Sequence, residues 1–553
     1  MALKKQHLPF VLISLLLLIH TVLMLSGSWE RSADGWIHLF FSEHWYLRWF
    51  DHWEPRWNLG FSMFSYPPLA HQCVALLRFF YSPVIAGLLM MCLTLLLLIS
   101  GFYRYGRLWF SKSACLWGIL LIFCSSPLAI AVHTFGQYPN LFAWGFLMHG
   151  LATSSLWFKE KRFLMLTLSL CLCAVFSSLY ASVFGLLLMG LPVLLQHRHT
   201  PHFGKNLMTL SLYGLISSSI ALAPFLYFRF HFAATDTMSV YHSSKGNVLA
   251  WKPFNWFMFY GQYASLFLVW PLLIFQIKEK SFKAFFQDQG GSLGLMILLS
   301  TGGSTAIVPR ILGPLFDHLT LDRFGQWASF LLLLALGYAC QQLWRKQQYR
   351  KYVVAGLIIH LSMFIYSAGT TWIKPLPRMI PLQHVQIFLD QHQNYRYLTL
   401  GLHRANQAKL STLTQAFNVD GNFPFGRNFE PLNHSGMASL DMAKHYGRTG
   451  LTTLQKILKN AETNHLRYII VRDTYYTELL IDYGYLPIKS HGVLTIWENK
   501  RIPAIKGIKR PENFFLITFL SYIWALAPLS ILFIVIVQSV TILYSSRKCF
   551  NYR

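Results

Sequence analysis

Charged side chains are scarce in this sequence, and acidic ones are the scarcest. Only 12% of its 553 residues are charged, against roughly a quarter in soluble domains. This scarcity excludes a soluble globular enzyme. Asp and Glu total 21 against 47 Lys and Arg, for a formal net charge of +26. Because the basic residues form short clusters between long apolar runs, they indicate membrane topology and no nucleic-acid partner.

Cysteine is absent from the segment in which a disulfide scaffold would be expected. The longest polar segment, residues 370–512, contains none of the eight cysteines. That excludes a disulfide framework there, and no Cys/His spacing typical of zinc sites is present. The same segment has no phosphate-binding loop and no nucleophile elbow. Its sequence therefore favours a lid or docking role over a catalytic one.

Long apolar runs predict a polytopic α-helical membrane protein with about twelve transmembrane helices. The predicted spans are 8–26, 83–103, 113–132, 141–158, 163–178, 180–196, 206–230, 256–277, 291–308, 325–343, 352–369 and 514–543. Seven basic clusters then fall on one side, which the positive-inside rule makes cytoplasmic. We expect a multi-pass protein of the cytoplasmic membrane with both termini in the cytoplasm and its first span retained as an anchor.

This arrangement divides the chain into three parts. We expect a membrane domain over 1–369 with an interfacial first outside loop at 27–82, a small α+β extracytoplasmic domain over 370–512, and a final transmembrane helix with a basic cytoplasmic tail over 513–553. Within the α+β domain the apolar pattern predicts helices at 385–389 and 451–459, strands at 395–400, 467–472 and 492–497, and a long loop at 418–433.

The first outside loop concentrates the acids. Five carboxylates alternate with aromatic residues there, a composition that favours the membrane–water interface. Asp34 and His38 are four positions apart and share one face of a helix. That spacing suits a general base with an orienting imidazole, or two ligands of a hard divalent cation. The alternative is an Asp that caps the helix and a His at the interface.

Other polar residues near the ends of spans are candidates for substrate contact. Arg56 beside Trp57 suits a phosphate held by a guanidinium with an indole against lipid, or a snorkelling arginine. The turn between two spans offers His133, Gln137 and Tyr138 as substrate contacts, or is a simple polar turn. Arg323 suits contact with a lipid phosphate, and the alternative is an Asp–Arg pair that closes a helix N-terminus.

An ordered set of motifs resembles one family. Asp34-Gly35-x-x-His38, Pro55-Arg56-Trp57, Gly60, Tyr66-Pro67-Pro68-Leu69 and Arg323-Phe324 resemble the membrane proteins labelled 6-pyruvoyl-tetrahydropterin synthase-related, a family similar to the GT-C membrane glycosyltransferases. The enzyme in that label is a small soluble zinc protein with a histidine cluster, which this sequence lacks.

The GT-C likeness implies an enzyme that takes a sugar from a polyprenyl-phosphate donor. By that likeness Asp34 is the catalytic carboxylate, or a ligand of a divalent cation, and Arg56 or Arg323 holds the lipid phosphate. This chain departs from many GT-C relatives, which have two adjacent acids where Asp34 stands between Ala33 and Gly35. Glu30 or Glu43 is the candidate for the second acid.

Three functions follow from these observations. The first is a membrane glycosyltransferase that transfers a sugar from a polyprenyl-phosphate donor to an extracytoplasmic acceptor. The second is a non-catalytic assembly or interaction protein that works through the 370–512 domain. The third is a lipid-carrier transporter, which the near absence of ionisable residues within the apolar runs disfavours.

Overall fold

The computed structural model describes residues 8–161, 163–231, 242–264, 266, 280–373, 379–423, 429–432, 437–507 and 514–550. Most of the described chain is helical. The helices are α1 Leu8–Leu23, α2 Gly35–Leu47, α3 Leu69–Arg78, α4 Pro83–Gly106, α5 Lys112–Phe123, α6 Ser126–Ala129, α7 Tyr138–Glu160, α8 Leu164–Ser177, α9 Leu179–His197, α10 Phe203–Ala221, α11 Ala223–His231, α12 Lys280–Ser300, α13 Ile307–Leu312, α14 Asp322–Arg345, α15 Arg350–Ile373, α16 Gln383–Gln391, α17 Arg404–Leu413, α18 Gly447–Lys459, α19 Thr477–Asp482 and α20 Phe514–Phe550.

The long apolar helices make this a membrane protein. Among the described residues, six helices are long and apolar enough to cross a membrane, and two bent helix pairs raise the number to eight. Among the other helices that match predicted spans, α8 is short, with 14 residues, and α12 begins in a polar stretch. Helix α7 has 23 residues but is not among the six. The predicted span 291–308 is interrupted, because α12 ends at Ser300 and α13 begins at Ile307. Residues 267–279 of the predicted span 256–277 lie outside the described residues.

One bent pair is held by histidines from other helices. The chain bends by 51° between α5 and α6, which frees backbone carbonyls that need partners inside a membrane. His20 Nε2 donates to the Phe123 carbonyl at 3.0 Å, and His360 Nε2 donates to the Leu121 carbonyl at 2.7 Å. The other ring nitrogen of His20 lies 2.9 Å from His133 Nε2. These imidazoles therefore stabilise the break in the helix.

A mixed sheet lies between the last two long helices, in residues 379–507 (the sheet region). Its strands are β3 Arg396–Leu400, β4 Phe417–Asn418, β5 Leu466–Val471, β6 Leu486–His491 and β7 Leu494–Glu498. They run in the order β4-β3-β5-β7-β6. The first three are parallel, and β7 is antiparallel to both of its neighbours. The predicted strands at 395–400, 467–472 and 492–497 correspond to β3, β5 and β7.

Both faces of the central strands β3 and β5 are buried. Leu398 and Ile469 point into one apolar cluster, while Tyr397 and Tyr468 point into the other. Alternate residues of a strand face opposite sides, so each side needs its own helical cover. The predicted helices at 385–389 and 451–459 fall within α16 and α18, which supply part of that cover. The predicted loop at 418–433 begins in β4, and its residues 424–428 and 433 lie outside the described residues.

The last helix is tied to the first loop, residues 27–82. Pro528 has no backbone N–H, so the carbonyl of Trp524 one turn earlier has no helical partner. The Gln72 side-chain amide of α3 donates to the Trp524 and Ala525 carbonyls, at 3.1 Å each. The Trp524 indole in turn donates to the Met63 carbonyl. These bonds fix the first loop against α20.

Candidate functional site

The first loop forms a compact unit rather than an extended crossing. It contains α2, the short antiparallel pair of β1 Trp53–Glu54 and β2 Phe61–Ser62, and α3. Residues 35–45 of α2 are all buried, because α3, α4 and α17 pack around this helix. The aromatic residues at 36–45 of this helix therefore face protein, and Asp34 lies at the start of the enclosed helix.

Asp34 precedes the first turn of α2, but its carboxylate does not cap the helix. Its backbone N–H donates to the Phe135 carbonyl at 3.0 Å, and the N–H of Ala33 donates to the Thr134 carbonyl at 2.9 Å. The turn before α7 thus fixes the backbone at Asp34. Because these bonds use only the backbone, the carboxylate is left for another partner.

That partner comes from the sheet region. Arg404 Nη2 donates to Asp34 Oδ1 at 3.0 Å, and the side chains of Asp34 and Arg404 are 27% and 33% exposed. Arg404 is the first residue of α17 and follows β3 at the carboxyl end of the parallel strands. In open sheets with parallel strands, this edge is where ligands commonly bind. The ion pair therefore joins the acid of the first loop to the edge of the sheet.

Two further contacts hold α17 along α2. Lys409 Nζ lies 3.7 Å from Glu30 Oε2 and 5.0 Å from the centre of the Trp36 ring. The Thr412 hydroxyl is within 3.4 Å of the Trp36 carbonyl and also donates to its own helix. Glu30, which the sequence offered as a second acid, is therefore paired with a cation.

A second guanidinium, that of Arg323, lies on the same side of the bundle. It stacks on the ring of Tyr180 at 5.2 Å, and its Nε is buried without a hydrogen-bond partner among the described residues. Burial raises the pKa of Tyr66 to about 12, with the Arg323 charge lowering it and the Asp34 charge raising it. Arg323 and Asp34 therefore act on the same residue.

His242 lies near Asp322, and the charges of Asp34, Arg323 and Arg404 also affect it. Its Nδ1 lies 3.8 Å from Asp322 Oδ1. Burial lowers the pKa of His242; the charge of Asp322 opposes this shift, and those of Arg323 and Arg404 add to it. The charges of two acids and two guanidiniums therefore act on one imidazole.

His38 is not paired with the Asp34 carboxylate. Its ring nitrogen Nδ1 lies 3.2 Å from His71 Nε2, and its ring packs against Tyr138 at 5.1 Å. Burial, and then the charge of Arg323, lowers the pKa of His38 to about 3. The imidazole is therefore neutral near pH 7 and belongs to an aromatic cluster beneath the acid.

Arg56 and Trp57 are enclosed. The Arg56 guanidinium, 1% exposed, donates from Nε and Nη2 to the two oxygens of Glu54 at 2.8 and 2.7 Å. Trp57 is fully buried and stacks on Phe40 at 3.6 Å. Although burial favours the neutral acid, the charge and hydrogen bonds of Arg56, with His44, hold the pKa of Glu54 well below its usual range. The guanidinium of Arg56 therefore binds Glu54 and does not face solvent.

The three substrate contacts predicted in the turn before α7, His133, Gln137 and Tyr138, lie in different surroundings. His133 is buried in the histidine pair that serves the bent helix, and its Nδ1 lies 2.8 Å from the Ser28 hydroxyl. Tyr138 is buried with its hydroxyl 3.3 Å from Ser42 Oγ. Gln137 precedes α7 and is 8% exposed. The backbone carbonyls of Thr134 and Phe135 in this turn accept hydrogen bonds from the segment of Asp34.

The residues around Asp34 do not fit a divalent cation. Hard cations need several oxygen ligands, but Asp34 is paired with Arg404, and Glu30 and Glu43 are paired with Lys409 and Arg78. Within the described parts of the chain, no group of three or more His, Cys, Asp or Glu side chains could hold a metal ion. The chemistry of this site is that of a carboxylate beside guanidiniums.

Sequence reasoning missed Arg404, Lys409 and His242. Arg404 and Lys409 lie in the segment that lacked any catalytic motif, and neither has a local pattern that indicates its partner. The available signal was positional, because Arg404 follows a strand of a predicted sheet.

Asn140, in the first turn of α7, is a further residue that the sequence did not indicate. Its side chain is 3% exposed, and both amide atoms have no hydrogen-bond partner among the described residues.

The sequence matches one family model. The model described as "6-pyruvoyl-tetrahydropterin synthase related domain; membrane protein" matches residues 64–372. This range includes Tyr66 and Arg323 but begins after Asp34 and Arg56. No curated protein matches the sequence.

The fold is similar to two solved glycosyltransferases of the GT-C type. ArnT from Cupriavidus metallidurans, solved bound to undecaprenyl phosphate, has a TM-score of 0.52 at 13% identity, over 92% of this chain and all of that one. Arabinofuranosyltransferase AftD from Mycobacteria has a TM-score of 0.55 at 13% identity, over 90% of this chain but only 40% of that one. At this identity the likeness concerns the fold alone.

Proposed function

Because this chain belongs to the 6-pyruvoyl-tetrahydropterin synthase-related membrane proteins, and its fold resembles that of GT-C enzymes, we propose that it is a membrane glycosyltransferase. It transfers a sugar from a polyprenyl-phosphate donor to an extracytoplasmic acceptor. The observation that carries the proposal is the partly exposed carboxylate of Asp34 beside the guanidinium of Arg404, in the first loop of a GT-C-like fold, with the charge of Arg323 acting together with that of Asp34 on Tyr66. Zinc and pterin chemistry form no part of it.

In this reaction the carboxylate of Asp34 and the guanidinium of Arg323 have different roles. The acceptor hydroxyl oxygen attacks the anomeric carbon of the sugar, and the bond from that carbon to the phosphate oxygen breaks. Asp34 takes the proton of the hydroxyl as general base. Arg323 stabilises the polyprenyl phosphate as it leaves with the electron pair of the broken bond. Arg56 is not assigned a role with substrate, because Glu54 occupies its guanidinium.

The proposal includes an orientation. The end of the bundle that carries the first loop and the sheet region faces away from the cytoplasm, in the cytoplasmic membrane, and both termini are cytoplasmic. The basic clusters in the connections at the other end support this orientation through the positive-inside rule. A donor phosphate at headgroup level would then lie near Arg323, which begins a long apolar helix.

Native mass spectrometry of the purified protein with a mixture of polyprenyl-phosphate sugars tests the function. We expect the wild type to convert bound donor to polyprenyl phosphate, and Asp34→Asn to retain donor with turnover reduced by about 100-fold or more, the scale of general-base catalysis. Lys456→Gln is the matched control, since Lys456 pairs with Glu430 on the exposed surface of the sheet region. Equal turnover by wild type and Asp34→Asn, or no turnover by either, would overturn the proposal.

A further inference from the structure

The Asp34–Arg404 pair joins two parts of the chain that are 370 residues apart. It is partly exposed, and it uses one nitrogen of the guanidinium. Within the part of the chain that the structure describes, Arg404 Nε has no hydrogen-bond partner. An arginine can present donors in a fork that suits two oxygens of one anion. Arg404 therefore has donor capacity beyond its bond to Asp34.

A phosphate can compete with the Asp34 carboxylate for Arg404. The ion pair is partly exposed and has a single hydrogen bond, so a ligand that reaches this edge of the sheet can replace one partner. The phosphate of a polyprenyl-phosphate sugar is a diester with one negative charge and two free oxygens, which suit the guanidinium fork. The polyprenyl phosphate that remains after transfer is a monoester, and its greater charge strengthens its interaction with Arg404. The charges of Arg323 and Arg404 also act on the same residue, His242.

We propose that Arg404 is a phosphate-binding residue that the sheet region contributes to the site, and that it exchanges the carboxylate of Asp34 for the phosphate of the donor lipid. This inference rests on the proposed function for the identity of the donor. The exchange leaves the Asp34 carboxylate without its hydrogen bond to Arg404, so both of its oxygens can accept the proton of the acceptor hydroxyl. Binding of the donor phosphate thereby frees the base that the reaction needs.

The exchange has a signature in binding that requires no turnover. The probe is polyprenyl phosphate without sugar, titrated into the full-length protein in nanodiscs, with the uncharged polyprenol as its comparison. We expect Arg404→Gln to weaken binding of the phosphate by about 10- to 100-fold, the range for hydrogen bonds to charged groups. Arg404→Lys keeps the charge but loses the fork of donors, so its affinity for polyprenyl phosphate should lie between those of the wild type and Arg404→Gln. Polyprenol binding should be unchanged in both variants.

Removal of the competing carboxylate should act in the opposite direction. Asp34→Asn frees Arg404, so polyprenyl phosphate should bind about 2- to 5-fold more tightly, in line with the strength of a partly exposed ion pair. The gain must depend on Arg404 and vanish in the double variant Asp34→Asn/Arg404→Gln. Lys456→Gln, on the far pair with Glu430, should leave binding unchanged. A competition experiment with excess inorganic phosphate distinguishes a site for the lipid headgroup from a general anion site. A headgroup site retains polyprenyl phosphate, whereas a general anion site releases it.

The outcomes separate this inference from the proposed function. If Arg404→Gln binds polyprenyl phosphate as the wild type does, the exchange is wrong, although sugar transfer can still be found. If the binding signature is present without sugar transfer, the exchange stands and the proposed function is wrong. Displacement by inorganic phosphate, or a gain in Asp34→Asn that survives without Arg404, also overturns the exchange. Absence of polyprenyl-phosphate binding in the wild type overturns both.

Discussion

Two carboxylates of the first loop, Glu54 and Asp34, are each paired with an arginine, and the two pairs differ in sequence separation, burial and number of hydrogen bonds. Glu54 and Arg56 are two residues apart, with side chains 0% and 1% exposed. Asp34 and Arg404 are 370 residues apart, with side chains 27% and 33% exposed. The Nη2-to-oxygen distances are similar, 2.7 and 3.0 Å. Distance alone would not separate them, but burial and the number of additional bonds do.

The buried pair is saturated. Glu54 accepts from the Arg56 backbone N–H and from its Nε and Nη2, and it lies 3.0 Å from His44 Nδ1. The Arg56 carbonyl accepts from the N–H of Asn418 in β4. A pair with this many partners fixes the first loop to the sheet region and has no capacity for a ligand. The partly exposed pair has one bond and can exchange it. The comparison therefore separates a structural arginine from a functional one.

The largest effect that we expect is on stability, from Arg56→Ala. Removal of one partner leaves a buried, uncompensated carboxylate, and the unfolding free energy should fall by about 3–5 kcal/mol. Arg404→Ala, its matched control, should lower it by less than about 1 kcal/mol. Denaturant unfolding of both variants in detergent measures the difference. Equal losses in the two variants would remove the distinction between the pairs.

Acidification should act on the buried pair next. The pKa of Glu54 is held below its usual 4.5, so the folded state binds fewer protons than the unfolded state. The stability that Glu54 contributes is complete above pH 4.5 and is lost as the pH falls below it, with a slope of at most about 1.4 kcal/mol per pH unit for one proton. Thermal unfolding from pH 6 to pH 3 measures this slope. Glu54→Gln should flatten this slope; an unchanged slope in that variant contradicts the assignment.

Salt should distinguish the pairs by a smaller amount. Arg404→Gln is expected to lower the unfolding free energy by about 0.2–1 kcal/mol at low salt, because the pair is accessible to solvent. At 1 M salt the Debye length is about 3 Å, and the loss should shrink toward zero. The loss caused by Arg56→Ala should persist at both concentrations. A salt-independent loss in Arg404→Gln would show that the pair is shielded from solvent.

The smallest effect belongs to Lys409. Its nitrogen lies 3.7 Å from Glu30, and the two side chains are 23% and 33% exposed. Lys409→Gln should lower the unfolding free energy by about 0.5 kcal/mol or less, and polyprenyl-phosphate binding should stay within about 2-fold of the wild type. The same unfolding and nanodisc titrations measure both quantities. A loss of lipid binding as large as that of Arg404→Gln would place Lys409 in the phosphate site.

Much of the fold follows from local pattern. The predicted spans 163–178 and 180–196 correspond to α8 and α9, which are separated by the single residue Ser178. Strands β3, β5 and β7 follow from runs of apolar and β-branched residues. β4, with two residues, and β6, with a largely exposed surface, have too little apolar pattern to be predicted.

The site was harder to predict, because its residues meet only in the folded chain. Asp34 stood out through the scarcity of acids, but nothing near Arg404 in the sequence indicates a partner 370 residues away. Arg56 illustrates the opposite case. Glu54 lies two residues before it, a local signal that the guanidinium already has a carboxylate. A search for such nearby acids separates paired arginines from candidate ligand-binding ones in sequences of this composition.

The link from Gln72 to the last helix has a consequence for biosynthesis. Its amide donates to carbonyls at Trp524 and Ala525, the first of them 452 residues later in the chain. A ribosome releases the first loop long before the helix that holds it, and before Arg404 as well. The nascent protein therefore carries an incomplete site through almost the whole of its synthesis, and it matures only when its final hydrophobic segment has been inserted.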